Sequence, residues 1–343
     1  MPWTALPPHY PNNSRQDTLF FTADFLYTGW ECKPKINKRR LFMLVQKIKN
    51  KESGIVLYGI TPPKAGLGEE RVAEISALQI ERLQALNIDG LVLYDIQDEK
   101  SRTEVERPFP FIETLDAFDY SQQYLASLDV PKIIYRAVGK YSEAELGQFL
   151  SAASSTKNLT VFVGAASKEQ SVSMNINDAY ELKSKVNQQL LLGGVTISER
   201  HQSKGDEHLR VFNKIAQGCD FFISQGVYDV NASKDFLSDY YYYGLKNNIP
   251  LVPILFTLTP CGSQKTLEFM KWLGISIPRW LENELLHSQD ILQKSVEVSE
   301  QNYRELRRFA AEKGIPIGCN IESVAIRKVE VEASIELLRR VSQ

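Results

Sequence analysis

From residue 54 onward, short apolar runs alternate with longer stretches in which apolar residues recur every three to four positions. The runs fall at 55–59, 90–95, 132–136, 159–164, 191–197, 219–225, 250–256 and 315–320. Short continuous apolar runs are what parallel strands need when both of their faces are covered. Helical spacing fills the gaps at 69–86, 119–128, 142–153, 176–189, 206–217, 232–246, 263–273 and 289–313, with a last helix at 327–341. Eight strands, each followed by a helix, predict an α/β fold, a single (β/α)8 TIM barrel. The 289–313 segment is long for a barrel helix, and 278–287 reads as an extra turn before it.

Residues 1–50 differ from the rest and read as an N-terminal extension packing on the barrel that 51–343 forms. The first part is proline-rich irregular chain, and 20–30 is aromatic-rich. Leu41, Leu44, Val45 and Ile48 form the stripe of a short amphipathic helix. That helix is expected to cover the bottom or side of the barrel, or to form part of a subunit contact in a homo-oligomer.

In a parallel barrel, only residues at or just beyond the carboxyl ends of strands reach a substrate. That rule selects 58–64, 95–98, Tyr135 and Arg136, 164–167, 199–201, 225–229 (Tyr228 among them), 257–261 and 320–323. One stretch stands out. The run Gly193-Gly194-Val195-Thr196-Ile197-Ser198 leads into Glu199, Arg200 and His201, and a helical segment then precedes the apolar strand that ends in Gln225. A glutamine amide both donates and accepts, which suits the edge of a pterin-like ring, although it can equally cap a loop. Asp95 and Glu199 are the carboxylates that burial could tune for acid–base work. Asp95 serves as well for an N-cap or loop role. The small residues Gly164 and Ala165 leave space for a ring or ribose, or make a tight turn.

These residues carry a resemblance. The order Ser198-Glu199-Arg200-His201, then Ile223-Ser224-Gln225, with Pro62-Pro63-Lys64 before and Ile277-Pro278-Arg279-Trp280-Leu281 after, resembles the methylenetetrahydrofolate reductase family. The resemblance implies an oxidoreductase of one-carbon metabolism that passes a hydride from NAD(P)H to a reduced C1-folate. It implies that Gln225 contacts the pterin. It also implies that His201 and Lys214 contact a flavin and its phosphates, with Glu207 where the family has an aspartate that helps to hold it. The family's catalytic glutamate stands three residues before its Pro-Pro, where this chain has Gly59. The Arg-Gly-Asp that ends the family's fourth strand is Val163-Gly164-Ala165 here. Both departures make FAD doubtful and require another proton donor, Asp95 or Glu199. The departures leave open a non-catalytic folate-binding or regulatory protein, or a different C1-folate transformation such as demethylation.

Composition adds exclusions. A formal net charge of -2 gives no electrostatic footprint for nucleic acid, and the basic run 33–40 reads as a solvated turn. Four scattered cysteines form neither a zinc pattern nor a disulfide framework. No apolar stretch is long enough for a membrane span and no signal peptide is evident, so the chain reads as cytoplasmic.

Overall fold

The computed structural model describes residues 38–99, 103–156, 158–165 and 172–342. Expectations for residues 1–37, and for Ala166 and Ser167, lie outside them. Eight parallel strands close in sequence order into a barrel. They are β1 (Val56–Ile60), β2 (Gly90–Leu93), β3 (Lys132–Ala137), β4 (Leu159–Val163), β5 (Leu192–Thr196), β6 (Cys219–Gly226), β7 (Ile254–Leu258) and β8 (Ile317–Glu322). The helices are α1 (Lys38–Lys49), α2 (Glu69–Gln84), α3 (Ala117–Gln123), α4 (Glu143–Thr156), α5 (Ile176–Val186) and α6 (Arg200–Lys204). They continue with α7 (Glu207–Ala216), α8 (Val230–Asn247), α9 (Gln264–Trp272), α10 (Arg279–Leu286), α11 (Ile291–Ala311) and α12 (Lys328–Val341).

Alternation along each strand separates two cores. Leu57, Val92, Ile133, Val161, Phe221, Ile223 and Leu255 fill the lumen, with Tyr94, Tyr135, Val163 and Val195 at its upper end. Their neighbours, such as Leu91, Ile134, Phe162, Phe222 and Cys319, pack outward against the helices. Wide rings need small residues opposite them. A Cβ on Gly193 would lie 2.7 Å from the Phe221 ring, so glycine is required there.

Helix α1 closes the amino end. Leu44 and Ile48 are buried in the luminal cluster, and burying two such side chains contributes roughly 1.5–3 kcal/mol each. The Lys47 ammonium pairs with Asp89 at 2.6 Å, while the other oxygen of Asp89 accepts from Val56 N at 2.9 Å. The stripe seen in the sequence is therefore a plug for the bottom of the barrel.

Two strands start and end later than their apolar runs. Pro253 and Pro316 lack an N–H for the ladder, so β7 and β8 begin just after them, and their carboxyl ends move to Leu258 and Glu322. The Asp116 carboxylate accepts from Phe118 N and Asp119 N and starts α3 earlier than the apolar stripe suggests. Helix α6, unforeseen, follows β5 directly and stops at Gly205, which has a φ of 65°. Helices α9 and α10 lie between β7 and α11, and α11 is the helix that packs on β7 and β8. Their apolar residues Leu267, Met270, Leu281 and Leu285 join Tyr228 and Cys261 in a separate small core.

Candidate active site

The upper lumen is built from β1, β2, β7 and β8. Gly59 and Glu322 are Cα partners across the β1–β8 pair. Asn320 and Glu322 share a face with Gly318, whose missing Cβ would meet the luminal Leu255 side chain at 2.7 Å. Both therefore face inward. The amide of Asn320 donates to the Tyr94 hydroxyl at 2.8 Å and to Thr257 Oγ1 at 3.1 Å, while its Oδ1 is buried without a partner. Tyr94 meets the Tyr135 ring edge-on, with centroids 4.9 Å apart, and its hydroxyl bonds the Glu322 carboxyl. Burial pushes the Glu322 carboxyl up, and the bond to Tyr94 offsets only part of that rise. A titrating carboxyl, an aromatic wall and an unpartnered acceptor thus converge at one end of the lumen.

The segment between β2 and α3 straddles this mouth. Gln97 reaches Gly164 O at the end of β4 at 3.4 Å. Val105 O accepts from the Trp272 indole on α9 at 2.9 Å. Thr114 bridges Lys64 in the β1–α2 loop. Between those anchors the Arg107 guanidinium stacks on Phe111, Phe269 and Trp272.

The sequence places Glu322 only within the strand-end stretch 320–323 and offers Asp95 or Glu199 for the acid role. Tyr94 takes the luminal face of that segment, so Asp95 turns outward. Its carboxylate accepts from Ala137 N at 2.8 Å and Tyr141 OH at 2.8 Å, and pairs with Lys140 at 2.6 Å. Arg136, expected at the substrate, is buried beside it. The guanidinium bonds Asp116 and lies 4.1 Å from the Phe149 ring centroid. Burial would raise the Asp116 carboxyl, but the hydrogen bond and charge of Arg136 outweigh it and hold the carboxyl low. The two acids and the arginine bind the strands to α3 and α4 rather than face the lumen. Tyr228 is likewise committed: it is buried, and its hydroxyl donates to Thr259 O at 2.7 Å.

Gln225 follows Phe221 and Ile223 on β6. Its amide nitrogen donates to Leu273 O at 2.7 Å and so holds the end of α9, which leaves the amide oxygen to accept from a ligand. Glu199 directly precedes α6 and makes no side-chain bond to the helix's amides. It is buried, one oxygen accepts from Ser198 Oγ at 3.3 Å, and the other has no partner. Burial pushes its carboxyl up to about 8. Of the two acids expected from sequence, Glu199 alone has the environment for acid–base work, on the β5 side of the barrel.

Glu207, Lys214 and His201, which the resemblance gives to a flavin, each make a bond within the protein. Glu207 Oε1 accepts from Thr196 Oγ1 at 3.1 Å and Ile197 N at 2.9 Å. Lys214 Nζ donates to Val195 O at 2.6 Å, and burial lowers its pKa. His201 bonds Asp239 on α8 at 3.0 Å. Gly164 and the exposed Ala165 end β4 without a charged side chain of their own. The end of β4 thus offers a flavin phosphate no cation of its own, and Glu207, Lys214 and His201 each have one polar atom engaged within the protein.

A family model described as methylenetetrahydrofolate reductase matches residues 194–313. The chain is also 56% identical to an uncharacterized protein from Clostridium thermocellum, whose structure binds two copies of 5-methyl-5,6,7,8-tetrahydrofolic acid. That match covers 87% of this chain and 99% of the other, with a TM-score of 0.79. A 2,3-dimethylmalate lyase of the PEP mutase/isocitrate lyase superfamily aligns over 87% of this chain and 94% of its own at 12% identity and a TM-score of 0.40, too distant to bear on function. No curated protein matches the chain. Barrel, strand-end residues and these two matches agree: the chain belongs to the methylenetetrahydrofolate reductase family.

Proposed function

We propose that this protein binds a reduced C1-folate in the barrel mouth and interconverts its methylene and methyl forms by hydride exchange with NAD(P)H, without flavin. The observation that carries the reading is Glu322, an inward-facing carboxyl raised by burial and opposite the position where the family's acid is missing. Glu322 donates its proton to a ring nitrogen of methylenetetrahydrofolate, the nitrogen–methylene bond breaks and the five-membered ring opens. The carbon left on the other nitrogen accepts the hydride, which gives the methyl product and NAD(P)⁺, and solvent reprotonates the carboxylate. Asn320 Oδ1 and the Gln225 amide oxygen accept from the pterin edge, against the Tyr94 and Tyr135 rings. The uncharged end of β4 and the internal bonds of Glu207, Lys214 and His201 support flavin independence. The free, buried Cys219, Cys261 and Cys319 support a reducing, cytoplasmic setting.

A second reading, folate binding without turnover, is favoured by the ligand of the Clostridium relative. One experiment separates them. The purified protein is titrated with 5-methyltetrahydrofolate by calorimetry and then assayed anaerobically for NAD(P)H oxidation with methylenetetrahydrofolate. Binding with turnover upholds the proposal, binding without turnover replaces it by the second reading, and absence of both overturns each.

A further inference from the structure

The outer helical layer holds a second cluster of chemistry, independent of the mouth. We propose that His201, His208 and Asp239 form a binding site for one divalent transition-metal ion of the zinc class. His201 lies on α6, His208 in the first turn of α7 and Asp239 midway along α8. One nitrogen from each imidazole and one carboxylate oxygen all lie within 4.8 Å of one another. The rings meet edge to face, with centroids 5.3 Å apart and an interplanar angle of 80°. Aromatic neighbours hold each ring in place: Phe236 lies 6.2 Å from His201 and Tyr243 lies 5.6 Å from His208.

Imidazole bonding distinguishes this cluster from an ordinary His–Asp pair. A neutral imidazole has one N–H and one lone pair to place. His201 uses Nε2 on Asp239, while Nδ1 of His201 and Nδ1 of His208 are both buried with no partner. Neither ring is therefore spent as a donor to a backbone carbonyl.

Donor type sets the ion. Two imidazoles and a carboxylate suit zinc, cobalt or nickel, and not magnesium or calcium, which take oxygen donors. Tetrahedral zinc has ligand bonds of about 2.0–2.2 Å, so the three atoms must draw together from their present spread. Asp239 can move, because its side chain is 55% exposed. Water completes the fourth position from that open side. The ion would tie α6 to α7 and α8, and α6 begins at Glu199.

The test uses the full chain, stripped of metal by chelator and dialysed. Zinc chloride is titrated by calorimetry, and cobalt(II) chloride is followed by its visible d–d absorption. The expected result is one ion per chain, a raised melting temperature with zinc, and at least tenfold weaker binding in Asp239→Asn and in His208→Gln. Asp239→Asn alters an exposed side chain and keeps the fold, which circular dichroism without metal verifies. Absence of one-to-one binding overturns the proposal. So does stoichiometric binding that both variants leave unchanged, because the ion then sits elsewhere.

Discussion

The ring of Tyr94 occupies the space that a side chain on Gly59 would need. A Cβ at position 59 would lie 2.8 Å from Tyr94 Cε2 and 2.8 Å from its hydroxyl oxygen. The lost glutamate is therefore more than a deletion, because its place has been refilled from the neighbouring strand. Gly59→Ala should destabilise the protein by about 1–3 kcal/mol through overpacking. Tyr94→Ala should remove most of that penalty when the two are combined. Urea unfolding of both single variants and the double variant checks this as a double-mutant cycle. Additive effects would mean that the two positions do not compete for space.

Glu322→Gln keeps size and removes the titrating proton. NAD(P)H-dependent turnover should fall by roughly 10²–10⁴-fold, while 5-methyltetrahydrofolate still binds in calorimetry. Asp95→Asn should leave turnover within a few-fold of the parent and lower the melting temperature, because Asp95 anchors Lys140, Tyr141 and the backbone of Ala137. The reverse pattern would return the acid role to Asp95.

The barrel was legible because eight apolar runs and their intervening stripes repeat one pattern, which local spacing carries well. Gly59 and the uncharged end of β4 were equally visible, since each is a residue identity. The direction of a side chain was harder to read. Asp95 and Tyr94 are adjacent, so only the strand's facing decides which of them enters the lumen, and a shift of one residue exchanges them. Glu322 was obscured for a related reason: Pro316 delays β8, and the strand end moves from 320 to 322. Local spacing does show α9 and the extra turn that becomes α10, whereas the pairing of His201 with His208 and Asp239 depends on contacts between separate helices that no local pattern announces.

The purified protein should show no flavin absorbance and retain no FAD after gel filtration. The ligands that the family resemblance would use are already bonded to β5 and α8. A visible spectrum decides it, and stoichiometric FAD would mean that those internal bonds exchange for the cofactor.

Glu199 makes stability depend on pH. Burial raises its carboxyl from 4.5 to about 8 in the folded protein, so between those values the folded state holds a proton that the unfolded chain has released. Stability conferred by the neutral form is fully present below the unfolded value and declines as pH rises toward about 8. Glu199→Gln fixes the neutral form, leaving one oxygen to accept from Ser198. The variant should match the parent near pH 5, exceed it in melting temperature by several degrees at pH 8, and show a flatter profile between. Melting curves at both pH values, with and without the substitution, measure the effect. An identical slope in parent and variant would show that Glu199 ionises in the folded protein at its ordinary pKa. It would then have no store of protons to offer on the β5 side, and Glu322 would be the remaining acid of the mouth.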